Sequence, residues 1–332
     1  DYRWDQSNQT GLRIENDAPG WFDPYPWVQW GEFQNWQAVA KWASPLYRVP
    51  SRLSPKVQAE VDRIAAQSTD AEQRLLAALR FVQREVRYLG IEIGAGSYAP
   101  NPPDLVLDRR FGDCKDKSLL AVAMLRGLGI DAEPALVNTS RRHGIEQWQP
   151  SPGAFNHVLV HARVNGQSVW IDPTRTPQPG GLAQLVQSDH GLALLVNDRA
   201  DALIPMAGDK ALRDSREVRV LIDSRDGFDK PTKYTLTTTA EGRAANSLRA
   251  LVANNGRDDL QKRYLNFQAG YYAGVELAKP LQVVDDPLTN RLTLTEHYQI
   301  KDFWVRSEKH KRREAAIETP GLRDYLRQPS EL

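Results

Sequence analysis

A single cysteine, two methionines and six scattered histidines in 332 residues set the first limits on what this chain can do. One thiol excludes an intramolecular disulfide and any metal site built on clustered cysteines. No Glu-x-x-His pair occurs, so zinc hydrolysis has no support, and neither metal nor other cofactor is expected. Glycine fingerprints for nucleotide phosphates are missing. No run approaches the roughly 18 apolar residues of a membrane-spanning helix. Charge of one sign is missing too. The 43 basic and 42 acidic residues leave a net +1, so nothing argues for nucleic acid or an anionic membrane as partner. The short basic run 309–313 leads into Glu314 and reads as a solvated helix face. The chain opens at Asp1 without methionine or signal peptide, which reads as an excised or processed piece.

What is present begins with the lone cysteine. Cys114 stands in Arg110-Phe111-Gly112-Asp113-Cys114-Lys115-Asp116-Lys117-Ser118. A loop turns into a helix there, because residues 119–128 are apolar and rich in helix formers. Asp113 suits the N-cap and Cys114 the first helical position, with the helix running to Gly127. Gly112 permits a tight approach to that helix. Unpaired N–H groups and the macrodipole at a helix start favour a thiolate. Asp113 and Asp116 oppose it while Lys115 and Lys117 favour it, so local charge decides nothing. Two readings stand at this point, an acyl-transfer nucleophile and a small buried core residue.

A hairpin supplies a base and its orienter. Residues 155–164 read as a strand, Asn165-Gly166 as a type I′ turn and residues 167–172 as the returning strand. A two-residue loop sets Val164 opposite Gln167. His157 then lies diagonal to Asp172 on one face, about 7–8 Å away at the backbone and within side-chain reach. That face also carries Leu159, His161, Arg163 and Trp170. The other face carries Val158, Val160, Ala162, Val164, Val169 and Ile171, and reads as the core side. His161 is diagonal to Asp172 as well, on the turn side. His157, nearer the open end of the hairpin, has the better position for a base, and His161 reads as a neighbour packed beside Trp170. Spacing alone leaves both histidines in play.

Four motifs in order resemble a known family. They are Gly112-Asp113-Cys114-Lys115-Asp116-Lys117, the run from Ala123 to Ala132, Phe155-Asn156-His157, and Val169-Trp170-Ile171-Asp172-Pro173-Thr174. Together they look like the bacterial transglutaminase-like core, in the subgroup fused to a domain called DUF3857. The resemblance covers residues 55–176 well and the flanks more loosely. It implies a papain-like α+β fold with Cys114 as nucleophile, His157 as general base and Asp172 as orienter of His157. It separates the two histidines, because Phe-Asn-His falls on His157. It also implies cysteine peptidase or amidase chemistry, a peptide or protein substrate, a periplasmic or extracellular bacterial setting, and a DUF3857 domain elsewhere in the same chain. The N–H of Cys114 would give one oxyanion donor. A second would come from Gln83, Tyr88 or Tyr98, which no spacing rule separates.

The expected organisation is a Trp/Pro-rich connector over 1–54, a transglutaminase-like catalytic core over 55–205, a smaller α+β domain over 213–307 and a tail helix over 308–332. The connector holds six of the nine tryptophans, at 4, 21, 27, 30, 36 and 42. Their irregular spacing fits a tail wrapped on the catalytic core better than a carbohydrate platform. A short helix is expected over 33–44, then helices over 54–66 and 70–86. Residues 98–108 read as a Pro-rich loop forming a cleft wall. Residues 138–153 read as a polar loop that selects substrate. In the C-terminal domain, strands over 217–225 and 234–240 precede helices over 242–254 and 258–271, then strands over 275–284 and 291–301.

The leading function is therefore hydrolysis of an amide or peptide bond through a thioester acyl-enzyme. Transfer of the acyl group to an amine shares the same nucleophile. A non-catalytic scaffold binding a peptide or glycan is the third reading, and it has no need of an intact Cys, His and Asp set.

Overall fold

A computed structural model describes residues 25–90, 94–176, 178–185, 187–206 and 215–318, together with 3, 5, 7, 11 and 22. Trp4, Trp21 and the tail beyond 318 lie outside the described residues. The chain divides into two compact units. Unit 1 holds 1–175, 187–208 and 328–332, and unit 2 holds 176–186 and 209–327.

Unit 1 begins with three capped helices. Helix α1 (Trp36–Ala43) is capped by the Asn35 side chain, α2 (Pro55–Gln67) by Ser54 and α3 (Ala71–Glu85) by Asp70, each accepting from a first-turn N–H. The chain leaves α3 through a two-residue strand, β1 (Arg87–Tyr88). The expected loop before the cysteine then proves partly helical, since α4 spans Pro103–Arg109. Proline at the first helical position forfeits an N–H that has no partner there, so Pro103 starts this helix instead of breaking one. Arg110, with φ 58°, closes it. Strand β2 (Phe111–Gly112) pairs in parallel with β1 and leads directly into α5 (Cys114–Gly127).

Five antiparallel strands form the sheet of unit 1. They are β3 (Asp131–Val137), β4 (His157–Val164), β5 (Gln167–Ile171), β6 (Leu192–Leu195) and β7 (Ile204–Pro205), in the order β5-β4-β3-β6-β7. Val164 faces Gln167, and Asn165 and Gly166 have φ of 51° and 77°, as a type I′ turn requires. Both faces of the sheet are covered. Leu136, Val158 and Leu194 pack with Cys114, Leu119 and the α1 residues Val39, Ala40 and Ala43. Ala135, Leu159 and Ala193 pack with Met206 on the other face, beside Trp170 and Ile204. The face expected to carry chemistry is thus a second core layer: Leu159 is fully buried and His161 is nearly so. The short strand β7 and its flanks, which carried no alternation signal, supply that cover.

Unit 2 is a four-stranded antiparallel sheet and two helices. Strands β8 (Ser215–Asp223) and β9 (Thr232–Glu241) precede α6 (Arg243–Asn255) and α7 (Arg257–Ala269), followed by β10 (Val275–Asp286) and β11 (Arg291–Ile300). The strand order is β10-β11-β9-β8. Its core joins Ala240, Ala245, Leu260, Leu292 and Leu294. Where the start of a tail helix was expected, β12 (Val305–Ser307) and β13 (Arg312–Glu314) form a small hairpin. Its tip contains Lys311 at φ 49°, and its charges pair across and along the hairpin, so the basic run sits on a turn and strand. Of the described residues, 34% are helical and 27% are in strands, the mixed α+β class expected.

Candidate active site

The cysteine sits where its sequence put it. Asp113 caps α5, accepting from the N–H groups of Lys115 at 2.9 Å and Asp116 at 3.1 Å. Asp116 returns the favour by accepting from the N–H of Asp113 at 3.2 Å, which completes a capping box. Gly112 is needed for this arrangement, because a Cβ there would lie 2.7 Å from the Cβ of Asp116. The charges flanking the thiol are spent locally. Asp113 pairs with Lys115 at 2.7 Å, and Asp116 pairs with Arg109 and accepts from the Asn101 N–H at 2.7 Å. Cys114 itself is 2% exposed, at the wall of a cleft of about 70 Å³ lined by Trp42, Tyr98, Phe155, Asn156, His157 and Val158.

Each residue of Phe155-Asn156-His157 has an anchor. The Phe155 ring meets Trp36 of α1 edge-on at 5.6 Å, and Asn156 accepts from the N–H of Thr139 at 2.9 Å. His157 Nε2 lies 3.0 Å from Asp172 Oδ2, and its ring lines the same cleft as Cys114, whose charge also acts on it. Nε2 is committed to the carboxylate, so Nδ1 is the nitrogen left for sulfur. Burial pulls the His157 pKa down, but the bonds to Asp172 and Cys114 and their charges outweigh it, raising it to about 10. The surroundings of the ring thus favour its imidazolium form.

Asp172 is fixed from three sides. Its Oδ1 accepts from the N–H of Thr174 at 2.9 Å and from the Thr174 hydroxyl at 2.6 Å. Its main-chain carbonyl accepts from Gln83 Nε2 at 3.1 Å. Burial opposes the charge of this carboxyl, yet its bonds from His157 and Thr174 hold its pKa below the usual value. His161 takes no part. Its ring packs on Trp170 at 4.6 Å, and burial lowers its pKa. His157 and His161, four residues apart, sit on a strand, and no group of three or more metal-binding side chains occurs among the described residues.

Of the three oxyanion candidates, Tyr98 alone lines the cleft, braced edge-on against Trp42 at 5.3 Å. The amide nitrogen of Gln83 is engaged by Asp172, and Tyr88 is exposed on β1 outside the cleft lining. One residue went unforeseen. His190, before β6, packs edge-on against His157 at 6.1 Å. Burial first, then the charge of His157, lowers its pKa to about 4, so it is neutral beside the imidazolium. No local pattern ties residue 190 to residue 157; the Gly191 that follows, at φ 75°, is the one available cue to a close approach. The tryptophan segment contributes as well: Trp42, Ala43 and Tyr47 line the cleft, and Trp27 packs on Trp148 at 6.2 Å.

Comparison with known proteins follows this geometry. Residues 58–189 match the Transglutaminase-like superfamily profile. No curated protein matches the chain significantly. Among solved structures, a “putative protease” from Parabacteroides distasonis shares 11% identity at a TM-score of 0.41, over 81% of this chain and 53% of that one. A “putative cysteine protease” from Cytophaga hutchinsonii shares 17% at a TM-score of 0.28, over 41% of this chain and 43% of that one. The chain thus spans about half the length of these two structures. The matched stretch, residues 58–189, holds Cys114, His157 and Asp172 and is similar to the transglutaminase-like superfamily.

Proposed function

We propose that this protein hydrolyses an amide or peptide bond through a thioester on Cys114, with His157 as proton carrier and Asp172 as its orienter. One observation carries the reading. Cys114 and His157 line the same cleft, and His157 Nε2 lies 3.0 Å from Asp172 Oδ2, so one imidazole stands between the thiol's cleft and a buried carboxylate. In the reaction the thiolate of Cys114 adds to the substrate carbonyl, and the oxyanion faces the unpaired N–H of Cys114 at the start of α5. Tyr98, on the cleft wall, is the second donor in this reading. His157 passes a proton to the departing amine, leaving the thioester. Water then attacks with His157 as base, and sulfur leaves. Asp172 holds the tautomer throughout.

The test is mass spectrometry of the protein mixed with a peptide library, with and without added amine. An acyl adduct on Cys114 that resolves to free acid is expected. An amide product dominating in the presence of amine would reassign the chemistry to acyl transfer. Unmodified protein and intact peptides throughout would leave a binding scaffold.

A further inference from the structure

Lys117 differs from every other charged side chain around Cys114. Asp113 has Lys115 and Asp116 has Arg109, but Lys117, 1% exposed, has no carboxylate within ion-pair distance among the described residues. Its ammonium donates to the Val86 carbonyl at the end of α3. A buried ammonium without an ion pair is among the costliest groups in a core, and a methionine would fill the same space at less cost. Something other than packing therefore keeps the charge there.

The surroundings say what. Lys117 and Asp172, beyond the end of β5, meet the same end of α3: Lys117 bonds the Val86 carbonyl, and Gln83, three residues earlier, bonds the Asp172 main chain. The Asp172 charge favours the ammonium there. From α3, Gln83 grips the Asp172 carbonyl, and its own Oε1 is buried without a hydrogen-bond partner. From β4 comes His157. On α5 itself Cys114 lies one turn earlier, with the neighbouring Asp113, Lys115 and Asp116 already paired.

We propose that Lys117 is a positioning residue that balances the charge of Asp172. The inference rests on the reading of Cys114, His157 and Asp172 given above. With thiolate and imidazolium formed, the buried cluster carries two positive charges, Lys117 and His157, and two negative charges, Cys114 and Asp172. Once His157 has given its proton to the leaving amine and sulfur is acylated, Lys117 and Asp172 remain and still cancel. The cluster is neutral in both states. Without Lys117 it would carry a net negative charge in both. The Asp172 carboxylate would then face a neutral imidazole alone, and burial would drive it to take up a proton and release His157. Burial lowers the Lys117 pKa to about 8 against the opposing pull of Asp172, so its charge fades in mild alkali.

A double-mutant cycle of Lys117→Met, Asp172→Asn and the pair tests this, read by urea unfolding and by iodoacetamide alkylation of Cys114 against pH. Neither readout needs a substrate, so its result stands apart from the fate of the hydrolase reading. Each single variant should lose stability. The pair should recover at least about tenfold in the folding constant over additivity. Wild type should show a step in alkylation rate near pH 8 that Lys117→Met lacks. If Lys117→Met alone does not fold, a folded double variant carries the same meaning. Additive losses, or failure to fold in both, would show that the ammonium serves the Val86 carbonyl alone and overturn the proposal. Zero coupling in a protein that turns over peptides would overturn the charge balance and leave the hydrolase standing.

Discussion

The two units treat charge in opposite ways. Unit 1 buries Asp113, Lys115, Asp116, Lys117 and Asp172 around one cysteine. Among the described residues of unit 2, Glu296 is the one charged side chain so buried, bonded to the Tyr298 hydroxyl at 2.6 Å. The other charges of unit 2 lie at the surface or pair there, as Arg225 does with Asp223 and Arg263 with Asp259. Exposed pairs contribute little and are replaceable. Buried charges cost folding energy unless each is matched by a partner and hydrogen bonds, so a cluster of them marks a place where stability has yielded to chemistry. The contrast supports the proposal that places reaction in unit 1, and it leaves unit 2 as a conventional core.

The strongest way to break that contrast is Cys114→Ser. Turnover should fall by several orders of magnitude with the melting curve unchanged. Wild-type-like turnover would end the nucleophile assignment. Next comes the pair His157→Ala and His161→Ala. The first should cost about 10²–10⁴ in rate, the second a small stability loss with near-normal turnover per folded molecule. Rates measured on equal amounts of folded protein decide it, and the reverse order would move the base to the Trp170 side. Asp172→Asn should still fold, with the stability loss given above, and should slow the reaction and make Cys114 alkylation require higher pH. Normal turnover per folded molecule would make Asp172 purely structural.

A pH titration sharpens the same comparison. The folded-state pKa of His157 is raised from 6.5 to about 10. Its stabilisation is therefore fully present below the unfolded value and fades as pH rises through the folded one. Melting temperature should fall over that window in wild type and less so in His157→Ala; equal slopes would remove His157 from the balance. The smallest effect belongs to unit 2, where Arg225→Ala should change the melting temperature little, because the Arg225 side chain is 88% exposed and an exposed partner adds little to an ion pair.

Local chemistry decided what was legible in advance. The Asp113 cap, the helix from Cys114 to Gly127 and the Asn165-Gly166 turn all follow from neighbours within four residues, and all appear in the fold. The helix and the hairpin that carry Cys114, His157 and Asp172 could therefore be placed before the fold was known. Features that depend on distant chain could not be read. Met206 and Ile204 cover the Leu159 face from about 45 residues away, and His190 reaches His157 from the start of β6, with β3 between the two strands. The Pro102-Pro103 pair was misleading for a different reason: proline marks both loop and helix start, and only Arg110 closing the turn shows which applies. In the sequence Lys117 counts only as a charge that favours the thiolate, because its burial against the Val86 carbonyl depends on chain 31 residues away.

The parts packed around Cys114 have a practical consequence for anyone trimming this gene. The stretch recognisable as transglutaminase-like ends before β6 and begins after α1. Yet Val39, Ala40 and Ala43 on one side, and Leu194 and Val196 on the other, share one apolar cluster with Cys114. The heritable signature is therefore shorter than the cooperative folding unit. A fragment cut at its borders would keep all three proposed reactive side chains and expose the greasy underside of the cysteine helix, and it should be recovered as an aggregate.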